Sequence, residues 1–183
     1  MTQMQAETHR LVIERNWDGG TITPAERMDI LFSLSDDQVN MNVDAPFYND
    51  PPPTGAPGER EELWNHEVAE LFLLGRNGRY LEIEIGPHGH YLVMEMHALR
   101  QASRRITPLQ CTTRITDSRW QGTLTLIASP DLLPFTHVNG YAIHGTGSNR
   151  RYLAAFPVPG KRPDFHQPER FMPLEKPSHN DRD

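Results

Sequence analysis

The chain is patterned in short runs in which hydrophobic and polar residues alternate with a period of two. In the run 38–44, Val39, Met41 and Val43 form an apolar face opposite four polar residues, and the run 80–85 alternates as strictly. A period of two places successive side chains on opposite faces of a β-strand. Strands with one apolar and one polar face are typical of antiparallel sheets that bury one side against another layer.

About ten such runs, separated by turn residues, predict the strands. They cover residues 11–14, 27–35, 38–44, 68–74, 80–85, 91–97, 107–115, 119–128, 138–145 and 151–156. Sixteen prolines and thirteen glycines leave little room for long helices, and the predicted helical segments are short, at 24–28, 60–65 and 129–133. No alternation of strands and helices indicates a parallel α/β sheet. The pattern predicts an all-β fold, an antiparallel β-sandwich with short peripheral helices.

The 183 residues fit one domain with a hydrophobic core of its own. We expect a flexible N-terminal arm at 1–8, a single sandwich domain at 9–175 and a disordered charged tail at 176–183. The longest interruption, at 46–60, is rich in proline and glycine and carries the triple proline 51–53. Irregular loops of this length inside a domain are usually functional, and we expect this one to cover a ligand site.

Charge and cysteine content narrow the classes of function. The chain has 18 Lys and Arg against 24 Asp and Glu, a net charge of -6, which argues against nucleic-acid and anionic-membrane partners because both require a basic surface. Cys111 is the one cysteine, so a disulfide-stapled secreted domain is excluded. Residues 1–10 lack the pattern of a signal peptide, and no run approaches the ~20 apolar residues that span a bilayer. We therefore expect a cytoplasmic protein.

A row of glutamates provides the first candidate chemistry. Glu70 lies within the apolar run 68–74, where a carboxyl group must be paired, protonated or open to a pocket. Glu82 and Glu84 are two residues apart and share one face of the next strand, which an Asn-Gly turn pairs with the strand of Glu70. The alternatives are a structural ion pair for Glu70 and a solvated sheet face for the other two. Further polar residues are expected on the same face: Asn40, Asn42, Glu95, His97 and His144.

A metal site is the second candidate, because the chain has nine histidines and many carboxylates. His66-Glu67 is not followed by a second histidine at helical spacing, and His88 and His90 flank a glycine in a turn, so no complete zinc ligand set is present in sequence. A site assembled in space, or a structural metal ion, stays open, and no other cofactor is predicted. The sequence contains neither a nucleophile elbow nor a glycine-rich phosphate loop.

Four segments resemble, in order along the chain, the family 9 carbohydrate-binding modules. They are 63–72, in which Trp64 precedes Glu70 by six residues, and 80–89, 140–144 and 165–171. The chain resembles still more closely an uncharacterised group of small proteins that share the strings WNHEVxELFLL, here 64–74, and YLEIExGPHG, here 80–89. The resemblance covers about residues 10–175 and implies a sandwich of the jelly-roll type.

The family 9 modules hold a sugar between two aromatic rings, and polar side chains bind its hydroxyl groups. Carried over by position, the resemblance implies that Trp64 is one wall, that Phe165 replaces a tryptophan as the second, and that Glu70 accepts from a hydroxyl group. Glu82 stands where the modules use arginine, and His144 where they use glutamine. The ligand therefore does not carry over, and a cationic or amine-bearing ligand becomes a candidate.

We therefore predict a non-catalytic domain that binds a small ligand, with carbohydrates among the candidates, in a pocket on one sheet. Its binding residues are expected to be Trp64, Glu70, Glu82, His144 and Phe165, with Glu84, Tyr91 and Arg162 as additional candidates. Two alternatives stay open. One is an enzyme, metal-assisted or based on Glu and His, that acts on a sugar or a small metabolite, and the other is a protein-interaction domain without a ligand.

Overall fold

The computed structural model describes residues 6–174, so the predicted tail 176–183 and most of the predicted arm 1–8 lie outside the described residues. In chain order its strands are β1 Glu7–Ile13, β2 Arg15–Asn16, β3 Met28–Ser35, β4 Gln38–Pro46, β5 Gly58–Glu59, β6 Val68–Leu74, β7 Tyr80–Ile85, β8 His90–Ala98, β9 Gln101–Arg105, β10 Gln110–Thr116, β11 Arg119–Ile127, β12 His137–His144, β13 Arg151–Ala154 and β14 Met172–Pro173. Short 3-10 helices lie between them, at Pro24–Glu26, Leu63–Asn65, Arg76–Gly78, Pro130–Leu132, Gly147–Asn149 and Pro168–Arg170. β1 begins two residues ahead of the predicted domain start.

The first sheet has five strands in the order β1-β3-β4-β11-β10. β3 and β4 form a hairpin around Asp36 and Asp37, as the sequence predicts, and Ser35 pairs with Gln38. Asp36 has a φ of 51°, a left-handed conformation that aspartate tolerates better than most residues. The short turn fixes which residues of the two strands share a face.

The second sheet has the order β2-β13-β12-β6-β7-β8-β5, with β9 beside β8 and β14 beside β12. The described strand pairs are antiparallel, except for the short parallel pair of β5 and β8. β6, β7 and β8 follow one another through tight turns, so their register is set locally. β12 pairs with the edge of β6 that faces away from β7. This pairing joins segments that are far apart in sequence.

The main hydrophobic core lies between the two sheets. Leu71, Leu81 and Ile83 point into it from the second sheet, and Phe32 and Met41 point into it from the first. Each of these side chains is at most 1% exposed. The apolar residues that alternate with polar ones along β4 and β7 therefore point into this core.

The outer face of the second sheet is buried as well. A second hydrophobic cluster joins Phe72 and Tyr141, on that face, to Leu63 and Phe165, which belong to segments that cross over it. Residues 68–73 of β6 are consequently buried on both faces. Burial on both faces explains the nearly continuous hydrophobic sequence of this strand.

The predicted fold class is confirmed, since the two sheets form an antiparallel β-sandwich with short peripheral helices. The sequence pattern missed β9, whose five residues are all exposed and show no hydrophobic alternation. Among residues 6–174, no helix has the length and apolar character needed to cross a membrane.

Candidate ligand-binding cavity

A cavity of about 400 Å³ opens on the outer face of the second sheet, beside β6, β7 and β8. The 3-10 helix Leu63–Asn65 and residues 163–166 form its walls. Its lining residues are Trp64, Glu70, Glu82, Met94, Met96, Arg100, Ala102, Ile143, Tyr152, Pro163, Asp164, Phe165 and His166. Pockets that bind small molecules typically have volumes of ~300–1,000 Å³, so the cavity suits a small ligand. Four of the five predicted binding residues line it.

Tight turns bring three glutamates together on the cavity side of the sheet. In the pairing of β6 with β7, Glu70 lies opposite Glu84, and Phe72 lies opposite Glu82. Directly opposite residues of an antiparallel pair have Cβ atoms ~5 Å apart, and diagonal neighbours are ~7 Å apart. The three carboxyl groups are therefore neighbours, in agreement with the expectation from the Asn-Gly turn.

These carboxyl groups are buried without a direct cationic partner. Glu70, Glu82 and Glu84 are each at most 3% exposed, and no ion pair within residues 6–174 includes any of them. Oε2 of Glu82 and both carboxyl oxygens of Glu84 receive no hydrogen bond from a donor group of the described protein. Carboxyl groups in such surroundings resist ionisation.

The pKa values follow from this burial. Burial, and then the charges of neighbouring glutamates, raise the pKa of Glu70 and of Glu84 well above the ordinary value. Burial raises the pKa of Glu82 to about 7, and a hydrogen bond with Glu84 and the charge of Arg100 limit that rise. A proton on Glu84 allows it to donate to Glu82. The cluster therefore retains protons near neutral pH.

Trp64 lies at the rim of the cavity with 38% of its surface exposed. Its neighbour Leu63 is buried and anchors the 3-10 helix against the sheet. Arg150 donates hydrogen bonds to the carbonyl oxygens of Trp64 and His66. The backbone is therefore fixed while the indole stays accessible, as a ligand with an apolar face requires.

Phe165 also borders the cavity, but its ring is largely buried. It stacks on Tyr141 with a centroid distance of 4.0 Å and an interplanar angle of 8°, and it meets Tyr152 edge-on at 6.2 Å. The Tyr141 hydroxyl donates to the carbonyl oxygen of Phe165 at 3.2 Å. One face of the phenyl ring is thus occupied by Tyr141, so Phe165 is a supported wall of the cavity.

Two polar contacts fasten the segment 163–166 across the sheet. Arg100 forms an ion pair with Asp164, and the Tyr80 hydroxyl lies 2.7 Å from Nδ1 of His166. That hydroxyl also accepts the backbone N–H of Arg100. Burial, assisted by the charge of Arg100, lowers the pKa of His166 to about 4. His166 is therefore neutral near neutral pH.

His144 lies on the opposite face of the sheet and does not line the cavity. Tyr141 pairs with Glu70, and His144 is three positions further along β12, so its side chain points to the other face. It stacks on Tyr48 with a centroid distance of 3.6 Å, and its Nε2 lies 3.6 Å from Oε1 of Glu26. Burial lowers the pKa of His144 to about 4. The structure thus separates His144 from the other four predicted binding residues.

The three additional candidates lie outside the cavity lining for different reasons. Glu84 has no exposed surface and lies beside the two lining glutamates. Tyr91 pairs with Ile85 and packs against the core between the sheets. Arg162 is exposed and does not contribute to the lining.

The other polar residues expected on this face also lie elsewhere. Asn40 and Asn42 belong to β4 of the first sheet, and His97 is exposed near the end of β8. Glu95 points to the opposite face of β8, where it accepts hydrogen bonds from the backbone N–H of Ser129 at 2.9 Å and from its hydroxyl at 2.7 Å. The cavity side of the second sheet therefore carries fewer polar residues than the sequence pattern predicts.

The 46–60 loop does not cover the cavity, since none of its residues contributes to the lining. Glu67 accepts hydrogen bonds from the backbone N–H groups of Tyr48 at 3.1 Å and Asp50 at 3.4 Å. Asp50 in turn accepts the backbone N–H of Gly145 at 2.6 Å. These bonds fasten the loop away from the cavity, and the C-terminal segment forms the wall that we expected from the loop.

Sequence analysis missed several residues that complete the cavity. Met94 and Met96 belong to the second hydrophobic cluster, and Met94 lies opposite Glu82, so both also border the cavity. The Gly-Pro-His-Gly turn sets that register, so the turn was a usable signal. Tyr152 pairs with Ile143 across the short connection between β12 and β13, and Asp164 lies in an irregular segment that no local pattern marks.

The cavity combines an aromatic rim with acidic acceptors and a few donors. Glu70 and Glu82 supply the acceptors, and the guanidinium of Arg100 supplies donors. Within the part of the chain that the structure describes, no three His, Cys, Asp or Glu side chains converge as a metal site would require. The arrangement therefore suits hydrogen bonding to a polar organic ligand.

Comparison with known proteins places the chain in a family. It is 38% identical over 171 residues to the UPF0462 protein C4orf33 homolog of Rattus norvegicus, which covers 88% of this chain and 85% of the rat protein. It is also 38% identical over 168 residues to the UPF0462 protein C4orf33 of Homo sapiens, covering 87% of this chain and 84% of the human protein. The chain belongs to the UPF0462 family. No protein-family model matches this UPF0462 sequence.

Two solved structures resemble this UPF0462 protein. A presumed carbohydrate-binding protein from Bacteroides uniformis ATCC 8492 has a TM-score of 0.66 over 92% of this chain and 85% of that protein, at 18% identity. A family 9 carbohydrate-binding module from Caldicellulosiruptor kristjanssonii, in complex with cellotriose, has a TM-score of 0.47 over 83% of this chain and 72% of the module, at 11% identity. The first likeness shows a shared fold, in agreement with the predicted sandwich.

Proposed function

We propose that this protein is a non-catalytic domain that binds a saccharide in the cavity bordered by Trp64, Glu70, Glu82 and Phe165. A pyranose ring presents an apolar C–H face together with hydroxyl groups at its edge. Its binding therefore needs an aromatic surface and hydrogen-bonding groups close to each other. The cavity offers both within about 400 Å³.

The observation that carries the proposal is the exposed indole of Trp64 beside two buried carboxyl groups that receive no N–H donor from the described residues. Neither Glu70 nor Glu82 is held by an N–H group of the described protein, although both line the cavity. An unpaired buried acceptor costs about 1–3 kcal/mol. A ligand hydroxyl that donates to Glu70 or Glu82 removes that cost, which makes binding favourable at this position.

The shared fold supports the same class of ligand. The Bacteroides uniformis protein with the TM-score of 0.66 is described as a presumed carbohydrate-binding protein. A fold can host many functions, so the argument rests on the residues of the cavity. The likeness makes saccharides the first ligands to test.

Calorimetric titration of the full chain with a panel of mono- and disaccharides is the direct test. We expect at least one saccharide to bind with a dissociation constant in the micromolar to millimolar range, about −8 to −4 kcal/mol. Leu109→Ala serves as a control, because Leu109 is an exposed side chain outside the cavity. If no saccharide binds at millimolar concentration, the proposed function is wrong.

The carboxyl pair also favours a second candidate, an enzyme that uses Glu70 and Glu82 to cleave a glycosidic bond. Such enzymes use one carboxyl group with a raised pKa as the acid and a second as base or nucleophile. Chromatography of oligosaccharides incubated with the protein separates the two functions. Cleavage that is lost in Glu70→Gln would support the enzyme, and bound but uncleaved saccharide would support the non-catalytic domain.

A further inference from the structure

We propose that the ligand of this cavity is an amino sugar, whose primary ammonium group docks on Glu70 and Glu82 while its ring packs against Trp64. The inference rests on the proposed function and names the class of saccharide that the same cavity takes. It follows from the charges of the cavity, from one unpaired carboxyl oxygen and from the positions of the nearby arginines.

The sheet side of the cavity carries more acidic than basic side chains. Glu70 and Glu82 line it and Glu84 adjoins them, and all three side chains are buried. Among the described lining residues the cation is Arg100, and its guanidinium is already paired with Asp164. The pair of Arg100 and Asp164 is neutral overall, so a net charge in the cavity arises from ionisation of the glutamate cluster.

Arg150 is the other arginine whose charge acts on the cluster. Its guanidinium donates hydrogen bonds to the carbonyl oxygens of Gly145, Trp64 and His66, and it does not line the cavity. Its effect on the pKa of Glu70 is smaller than the effects of burial and of Glu82. Arg150 therefore supports the wall of the cavity and leaves the carboxyl groups without a direct partner.

Oε2 of Glu82 provides a specific docking point. It is buried and has no hydrogen-bond donor within the described protein, and it belongs to a side chain that lines the cavity. Hydrogen bonds from an ammonium group to a carboxylate are roughly twice as strong as those between neutral groups. A sugar hydroxyl can also donate to this oxygen, but only a cation additionally favours the ionised form of the neighbouring acids.

Charged and titratable groups face the cluster from every neighbouring element. They are Arg100 after β8, Asp164 and His166 on the C-terminal segment, Arg150 before β13, and Glu61 before the Leu63–Asn65 helix. The hydroxyl groups of Tyr80 and Tyr141 adjoin Glu82 and Glu70, and burial raises the pKa of both. Burial also lowers the pKa of His166 to about 4. The glutamates are therefore the groups around the cavity that exchange protons with the solvent near neutral pH.

Ammonium binding is therefore expected to release a proton. Burial and mutual repulsion keep protons on the three carboxyl groups of the free protein, with the pKa of Glu82 at about 7. A cation placed beside them favours the ionised form, so a proton passes to the solvent as the ligand binds. A neutral sugar has no such effect.

Calorimetry of the full chain at about pH 6.5, where a sugar amine carries its proton, tests the inference with four probes. Glucosamine is compared with glucose and N-acetylglucosamine, which keep the ring without the charge, and with ethanolamine, which keeps the charge without the ring. We expect glucosamine to bind at least about tenfold more tightly than each of the others. Titrations in two buffers of different ionisation enthalpy should report up to about one proton released per glucosamine and none for glucose.

Two variants sharpen the test. Glu82→Gln keeps the shape and removes the charge, and we expect it to reduce the preference for glucosamine over glucose to below about threefold. Glu95→Gln is the matched control, because Glu95 is a buried glutamate on the opposite face of β8, and it should keep the preference. Melting curves of both variants confirm that they fold, and the proton release of the unmodified chain tests the inference independently of them.

The outcomes separate the two proposals. Glucose or another neutral saccharide that binds as tightly as glucosamine would overturn the amino-sugar inference and leave the saccharide function standing. Ethanolamine that binds as tightly as glucosamine would overturn the role of the ring. Failure of all four probes and of the wider saccharide panel would overturn both proposals.

Discussion

Two buried carboxyl groups three positions apart in sequence have opposite surroundings. Glu67 is 5% exposed and accepts two backbone N–H groups, those of Tyr48 and Asp50. Glu70 is 2% exposed and lines the cavity, and no hydrogen bond from residues 6–174 holds it. The two side chains are almost equally buried, so exposure does not distinguish them. What distinguishes the two carboxyl groups is the source of their hydrogen-bond donors.

This difference indicates what each carboxyl group does. The donors of Glu67 come from the backbone of the 46–60 loop, so Glu67 fixes the loop to the sheet. No N–H group of the described residues donates to Glu70 or Glu82, and the cavity is where a ligand can supply a donor. A buried acid with backbone donors is a structural group, whereas one that lacks donors and borders a cavity is a candidate binding group.

The largest effect is expected from removing Glu67. Glu67→Ala should lower the free energy of unfolding by about 2–4 kcal/mol, because two buried backbone N–H groups lose their acceptor. Urea unfolding measures the change. The protein that remains folded should bind saccharide with unchanged affinity, and a loss of stability below about 1 kcal/mol would contradict the structural role.

Trp64→Ala should show the opposite profile. We expect saccharide affinity to fall by about 10–100-fold, since the aromatic surface under the ring is lost. The free energy of unfolding should change by less than about 1 kcal/mol, because the indole is 38% exposed. Calorimetry and urea unfolding measure the two quantities. His144→Ala, on the other face of the sheet, should leave affinity unchanged, and a selective loss of binding there would refute its placement.

Stability should fall as the pH rises from about 6.5 to 8. Burial raises the pKa of Glu82 and of Glu67 to about 7, so the folded state binds more protons than the unfolded state in this range, and deprotonation destabilises it. The buried His144 and His166, with pKa values lowered to about 4, act in the opposite direction, but only between about pH 4 and 6.5.

Glu82→Gln isolates the part of this slope that comes from the cavity. Between pH 6.5 and 8 the variant should lose about 1 kcal/mol less unfolding free energy than the unmodified chain, because Glu82 completes its ionisation in this range. Urea unfolding at several pH values measures the slope in both proteins. An identical slope in the variant would show that Glu82 ionises as an ordinary surface carboxyl group does.

The smallest effect is expected at Glu84. Glu84→Gln removes an acid that receives no hydrogen bond from the described residues and lies among other acids, so stability near pH 7 should be unchanged or should rise by up to about 1 kcal/mol. Thermal melting measures it. A loss of more than about 2 kcal/mol would indicate that Glu84 has a partner comparable to those of Glu67.

Local sequence patterns predicted the sandwich and part of the site. The alternation in β4 and β7 marks the core, and the turns between β6, β7 and β8 bring Glu70, Glu82 and Glu84 together, because tight hairpins fix register within a few residues. The face of His144 depends on the pairing of β12 with β6, which is remote in sequence. Asp164 and Phe165 lie in an irregular segment whose course is set by tertiary contacts, so no local pattern could place them.

The central claim is that a saccharide sits against Trp64 beside Glu70 and Glu82. The most direct measurement follows the side-chain indole N–H signals of the three tryptophans by NMR during titration with glucosamine and with a neutral saccharide panel. We expect the Trp64 signal to shift in a saturable manner, while the signal of Trp120, which is 2% exposed, stays in place. Saccharide titrations that leave the Trp64 signal unmoved, or that shift signals only outside the cavity, would contradict the account.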